Sequence, residues 1–291
     1  MPPQFLVVGH VVQDLISPGD ASQWRLGGTA SYAAVLGRSL GLRTAVLTAA
    51  APEIPLSQLL PGIELHVLAS PSTTQIRNIY DGGHRRQQIP RRAAAIGPGA
   101  LPEEWRATPI VLLGPVAGEV DGALAGAFPG SLVGVGAQGW LREIAPDGWV
   151  RPVAPERWRA APLLRSARAL FVSDEDLPAE ATADALREWS ALTEIVAFTH
   201  GDRGAEVCLG GEWRRIEAFP ARTVDPTGAG DVFAAAFLIR LHETGDVWEA
   251  ARYGACAASF VVEGEGTAAI PDRDQIEERL AAHPQIAPRP A

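Results

Sequence analysis

The sequence predicts an α/β fold: a mostly parallel sheet with helices on both faces, plus a small β cover at one end. Three observations lead there. Short apolar runs recur along most of the 291 residues and alternate with helical stretches, the pattern of a parallel sheet with helical crossovers. Hydrophobic residues make up 47% of the chain, enough for one large core. One region instead alternates polar and apolar residues about a glycine turn, as a half-exposed hairpin does.

Residues 5–9 form the first apolar run, closed by Gly9. After a loop, Gly27-Gly28 opens an alanine-rich helix over residues 29–40. The next strand is expected at 44–48. Apolar runs at 64–68, 110–113, 132–135, 169–172 and 195–199 continue the series, with a helix over 179–192 among the connections. In such a sheet, sites collect at the carboxyl ends of the strands. Residues 73–80 and 84–89 are the hairpin, joined by Asp81-Gly82-Gly83. With no internal repeat or low-complexity linker, residues 1–291 read as a single domain with a frayed tail at 287–291.

Composition removes several function classes. The net charge of −9 argues against a nucleic-acid footprint, and Arg85, Arg86, Arg91 and Arg92 make a local patch instead of a stripe. No apolar run approaches the ~18–20 residues of a membrane span, and the first residues lack the basic region of a signal peptide, so a cytoplasmic protein is expected. Cys208 and Cys256 sit among apolar or small residues and suit reduced core thiols. All 25 basic residues are arginine. Without lysine, neither a Walker A loop nor a Schiff-base mechanism is available.

The chemistry concentrates in Asp225-Pro226-Thr227-Gly228-Ala229-Gly230-Asp231, which runs straight into the apolar stretch 232–237. Side-chain-free positions let successive N–H groups converge on an anion, and the helix that follows adds its positive end. A carboxylate beside that cradle repels a phosphate, so Asp231 needs another reason to be there. Holding and deprotonating an attacking hydroxyl during phosphoryl transfer supplies one. The ordinary alternative is an acid favoured in a first helical turn.

This segment resembles the C-terminal signature of the ribokinase-like (PfkB) carbohydrate kinases, and other landmarks of that family follow in order along nearly the whole chain. The resemblance implies the three-layer ribokinase-like fold. It also implies an ATP-dependent kinase acting on a hydroxyl of a small sugar or polyol, inositol-like acceptors included. A nucleoside kinase of the same fold and a non-catalytic nucleotide- or sugar-binding protein are the alternatives. Gly228, Ala229 and Gly230 would cradle the transferring phosphate, and Asp231 would be the base. With an ordinary pKa near ~3.9, it would take the proton late in the transfer.

Asp14, Gly27 and Gly28 match acceptor-binding positions, and a lid is implied over residues 12–25 and 70–93, which brings in Asn78. Gln138-Gly139-Trp140-Leu141-Arg142 resembles a Gln-Gly-x-x-Arg segment of the branch containing inositol and nucleoside kinases, adding Gln138 and Arg142. Ser173-Asp174-Glu175-Asp176 stands where the family carries Asn-x-x-Glu. Asp176 would meet magnesium through water, with an acidic helix cap as the other reading of Ser173 and Asp176. Thr199, Gly201 and Gly204 match a nucleotide-lining Thr-x-Gly-x-x-Gly, and Ala255 and Gly266 match the walls of an adenine slot. Asp225 and Thr227 are candidate ligands of a monovalent cation such as potassium. For a nucleoside acceptor, Tyr32, Tyr80 and Trp140 are the aromatics available to stack a base. The expected partners are a small-molecule acceptor and neither nucleic acid nor membrane, in a monomer or homodimer.

Overall fold

The computed structural model describes residues 1–17, 20–81 and 84–291. The chain begins with β1 (Phe5–Val8), β2 (Val12–Ser17), β3 (Asp20–Gly27), α1 (Thr29–Ser39), β4 (Thr44–Ala50), α2 (Leu56–Leu59), β5 (Glu64–Ala69), β6 (Thr74–Asp81) and β7 (His84–Arg91). Its middle holds β8 (Ile110–Leu113), β9 (Leu132–Gly136), β10 (Arg142–Ile144), β11 (Val150–Pro152), α3 (Ala161–Leu164), β12 (Ala169–Ser173), α4 (Thr182–Ser190) and β13 (Ile195–Thr199). β14 (Ala205–Leu209), β15 (Glu212–Ile216), α5 (Ala229–Thr244), α6 (Val247–Val261), α7 (Arg273–Ala282) and β16 (Arg289–Pro290) follow.

Among the described residues, the main sheet runs β16-β15-β14-β13-β12-β9-β8-β1-β4-β5. It is parallel from β5 through β13 and antiparallel beyond. β1 shows why both faces must be covered. Phe5 and Val7 enter a core shared with α1, α5 and α6, whereas Leu6 and Val8 enter the opposite core with Trp105, Leu124 and Trp189. α5 is buried from Val232 through Ile239 and again at Leu241, because it packs against α1, α6 and the sheet. Both cysteines are buried and free. Among the described residues, no helix is long and apolar enough to cross a membrane.

β1 lies between β4 and β8, so the strand order reverses there and a crevice opens at the carboxyl ends. A small sheet, ordered β3-β2-β6-β7, is rooted at that end. Its Val12, Ile76 and Ile89 bury against Val116 and Ala117, which follow β8. Residues 12–17 and 20–27, expected as loop, are strands. β2 pairs with β3 on one side and β6 on the other, which satisfies its backbone, while an irregularity between Leu15 and Ser17 breaks the alternation a sequence reader looks for. β6 and β7 pair as the expected hairpin, whose turn at Gly82-Gly83 lies outside the described residues. β7 is tied to the main body: the Ile89 N–H donates to Gly148 O (2.7 Å), and Arg86 stacks over Trp149 at 4.1 Å.

Candidate active site

α5 starts at Gly228, which is left-handed at φ 86°. A Cβ at Gly228 would lie 2.3 Å from the ring of the fully buried Tyr32, so only glycine lets the starts of α1 and α5 meet. The Ala229 N–H turns back to Pro226 O (3.3 Å), and the N–H groups that follow lead out of the first turn, as at any helix start. Asp231 stands on this turn. Its Oδ1 accepts the Thr29 hydroxyl at 2.7 Å, so two helix starts 202 residues apart share one hydrogen bond. Burial pushes the Asp231 carboxyl up to about 6; the Thr29 hydrogen bond and the Arg142 charge pull the other way, and Asp176 adds to the rise.

The cleft before Asp231 has a volume of about 80 Å³, with Thr29, Gln138, Ser173, Asp176, Thr199 and Gly230 among its walls. Ser173 and Asp176 cap a helical turn reciprocally: Ser173 Oγ accepts the Glu175 N–H (3.2 Å), and Asp176 Oδ2 accepts the Ser173 N–H (3.1 Å). The capping reading is therefore realised, and Asp176 still borders the cleft. Burial raises its carboxyl pKa, against Arg142, the Ser173 N–H and a hydrogen bond from the Gln138 side chain. Part-buried Arg142 donates from Nη1 to Val116 O (3.0 Å), and its charge bears on both Asp176 and Asp231. Among the described residues, no three His, Cys, Asp or Glu side chains group as a metal cage. Two separate carboxylates on one cleft suit a hydrated ion shared with a phosphate, as magnesium is commonly held.

On the small sheet, Asp14 is buried and stands directly opposite Arg25. Gly27 is forced by the same carboxylate, because a Cβ there would lie 1.9 Å from Asp14 Oδ2. Ile76 pairs with Asp14, and Asn78, two residues on, lies on the same side of the strand as Ile76, where its Oδ1 accepts Gln87 Nε2 at 2.8 Å. Gly28 caps α1 directly before Thr29.

Sequence reasoning missed Glu119. This fully buried carboxylate accepts the N–H groups of His10 (2.9 Å), Val116 (3.0 and 3.1 Å) and Ala117 (2.7 Å). It joins the end of β1 to the loop after β8, the loop whose Val116 carbonyl holds Arg142. The signal available was one acid amid small and apolar residues, Val116-Ala117-Gly118-Glu119-Val120. His10 adds a tie to the small sheet, with Nδ1 2.7 Å from Thr74 Oγ1 and Nε2 2.8 Å from Ala94 O.

Two expected base-stacking aromatics are occupied. Tyr32 is buried against Gly228, and Trp140 stacks on Trp158 (5.9 Å between centroids, 14° between planes) while donating Nε1–H to Val120 O. The Tyr80 side chain lies outside the described residues. On the donor side, Thr199 borders the cleft, whereas Gly201, Gly204, Ala255 and Gly266 are not among its walls. Asp225, a candidate cation ligand, pairs with Arg25, with Nη2 2.6 Å from Oδ2.

Residues 161–273 match the pfkB family carbohydrate kinase model. A nucleoside kinase from Methanothermobacter thermautotrophicus is 36% identical over 89 residues, covering 30% of this chain and 28% of that protein. Ribokinase from Bacillus subtilis is 39% identical over 85 residues, 29% of each. The chain thus spans under a third of the length of these curated relatives. A solved pyrophosphate-dependent kinase in the ribokinase family, complexed with a pyrophosphate analogue and myo-inositol, superposes with a TM-score of 0.79 at 22% identity, covering 94% of this chain and 99% of that one. Residues 161–273 thus carry the pfkB carbohydrate kinase signature, and the chain as a whole has the ribokinase-like fold.

Proposed function

We infer that the protein transfers a terminal phosphoryl group from a polyphosphate donor to a hydroxyl of a small sugar or polyol, with Mg-ATP as the donor. The observation that carries this reading is Asp231: a carboxylate with a raised pKa, fixed by Thr29, on the helix turn whose N–H groups open into the cleft. Asp14, held over Gly27, accepts hydrogen bonds from vicinal hydroxyls and presents one of them to Asp231. Asp231 takes the proton as the hydroxyl oxygen bonds to phosphorus, and its raised pKa makes it a better acceptor than an ordinary aspartate. The first turn of α5 and Arg142 meet the charge that develops on the phosphoryl oxygens. Magnesium, bound with the donor, would neutralise phosphate oxygens, and Asp176 would hold it through water. Closure of the small sheet would exclude water and limit futile hydrolysis. With Tyr32 and Trp140 occupied, a small polyol fits better than a nucleoside. A silent binding protein would have no use for Asp231.

One observation favours a second donor. A pyrophosphate-dependent kinase shares this fold over 94% of the chain, and Thr199 is the donor-side wall of the cleft beside Asp231, so pyrophosphate is the donor to compare with ATP. Purified protein is to be assayed with Mg-ATP and with magnesium pyrophosphate against pentoses, hexoses, inositols and nucleosides. Acceptor-dependent phosphate transfer from ATP is expected. Faster transfer from pyrophosphate would select the second donor, and silence across the whole panel would count against a kinase. Gly27→Ala, which drives Asp14 from its seat, should raise the acceptor KM about tenfold with little change in donor KM. An unchanged acceptor KM would remove Asp14 from the acceptor site.

A further inference from the structure

Arg25 joins the acceptor-side sheet to the loop that enters α5. Asp14 and Arg25 are directly opposed across β2 and β3, so their side chains leave the sheet on the same face. Asp14 stops above Gly27, whereas Arg25 continues to Asp225, with Nη2 2.6 Å from Oδ2. Nη1 lies 3.6 Å from Glu265 Oε2, a mostly exposed group that adds little. Asp225 is the buckle of the turn before Gly228. Its Oδ1 accepts the Thr227 N–H at 3.0 Å, and its own N–H bonds Val262 O at 3.2 Å. With its side chain only 12% exposed, Asp225 carries a negative charge that cannot be left uncompensated. The family resemblance makes Asp225 and Thr227 candidate ligands of a monovalent cation; the structure brings a guanidinium to the same carboxylate.

We propose that Arg25 is a tethered replacement for a monovalent ion: its guanidinium neutralises Asp225 and shapes the phosphate-binding turn, so the protein needs no potassium. Arg25 is thus a positioning residue, acting on the phosphoryl group through Asp225 and Thr227. Because the cation is carried by β3, the turn is fully organised only when the small sheet is seated. The effect on turnover rests on the kinase reading; the charge replacement at Asp225 does not.

The test uses the full chain and its Arg25→Ala and Arg25→Lys variants. Thermal midpoints and phosphoryl-transfer rates are measured in potassium, sodium, choline and dilute guanidinium chloride at constant ionic strength. The native protein should be indifferent to which cation is present. Arg25→Ala should lose about tenfold in turnover together with a lower midpoint, and potassium or guanidinium, but not choline, should restore both. Arg25→Lys should retain most of each. Arg25→Ala/Asp225→Asn should not respond to any cation, since no charge remains to be met. Potassium dependence of the native protein, a loss that no cation restores, or an Arg25→Ala variant with native rate and midpoint would each overturn the proposal. The midpoint needs no acceptor. Selective rescue of stability in a protein inactive with every acceptor would therefore sink the kinase reading and leave the cation assignment standing.

Discussion

Asp231→Asn is expected to lower turnover by about 10³-fold, the middle of the range for a lost general base, while making the protein more stable at neutral pH. The two effects share one cause. Asparagine keeps the acceptor for the Thr29 hydroxyl but cannot take a proton. Burial holds the native carboxyl at about 6, above its unfolded value, so the folded state binds that proton more tightly than the unfolded chain. Stability from this group is fully present below about pH 4 and is lost as pH rises through about 6. Two pKa units correspond to about 3 kcal/mol, and water in the cleft reduces this to roughly 1–2 kcal/mol. Thermal midpoints between pH 4 and 8 should fall more steeply in the native protein than in the variant, where Asp176 alone of the two raised carboxyls remains. In the same range, kcat/KM of the native enzyme should rise with pH and level off above about 6. A variant with native rate would refute the base assignment; a variant less stable than native at pH 7 would refute the buried-charge account.

Glu119→Gln should be among the most destabilising near-isosteric changes in the chain, at about 3 kcal/mol, or roughly a 5–10 °C drop in thermal midpoint. Each Glu119 oxygen accepts two backbone N–H groups. An amide group at either position would turn an acceptor into a donor facing two donors. Activity should fall as well, because the Val116 carbonyl that anchors Arg142 belongs to the turn Glu119 organises. Urea denaturation and steady-state rates measured on one preparation check both. A variant of native stability would show that the Glu119 cluster relaxes at no cost.

The segment 225–231 was legible because the turn, the helix start and the acid are all written in residue types, with Gly228 the position where a side chain has no room. The parallel strands were legible for a similar reason, since burial on both faces demands the continuous apolar runs seen in Phe5–Val8 and Ile110–Leu113. β2 and β3 were hidden because polar Gln13 and Asp14 are buried in the small sheet, where alternation predicts exposure on one side. The antiparallel pair β14 and β15 escaped because polar and glycine residues interrupt its short runs. Glu119 left no pattern because its partners are backbone N–H groups, which carry no sequence identity. Ser173 and Asp176 were read two ways, and their geometry serves as a cap while bordering the cleft. Arg25 was invisible for a different reason: its partner lies 200 positions away and on another sheet's connecting loop.

The hydrogen bond between Thr29 and Asp231 has a consequence for how the molecule comes into being. During synthesis the first strands and α1 can collapse early, but nothing in them is reactive until the start of α5 has emerged and docked on Tyr32. A ribosome stalled anywhere before that point would hold a chain able to form much of its parallel sheet yet unable to consume a high-energy phosphate. On the kinase reading, the order of the sequence delays chemical competence until late in translation, and chains ending before residue 231 should show no phosphoryl transfer.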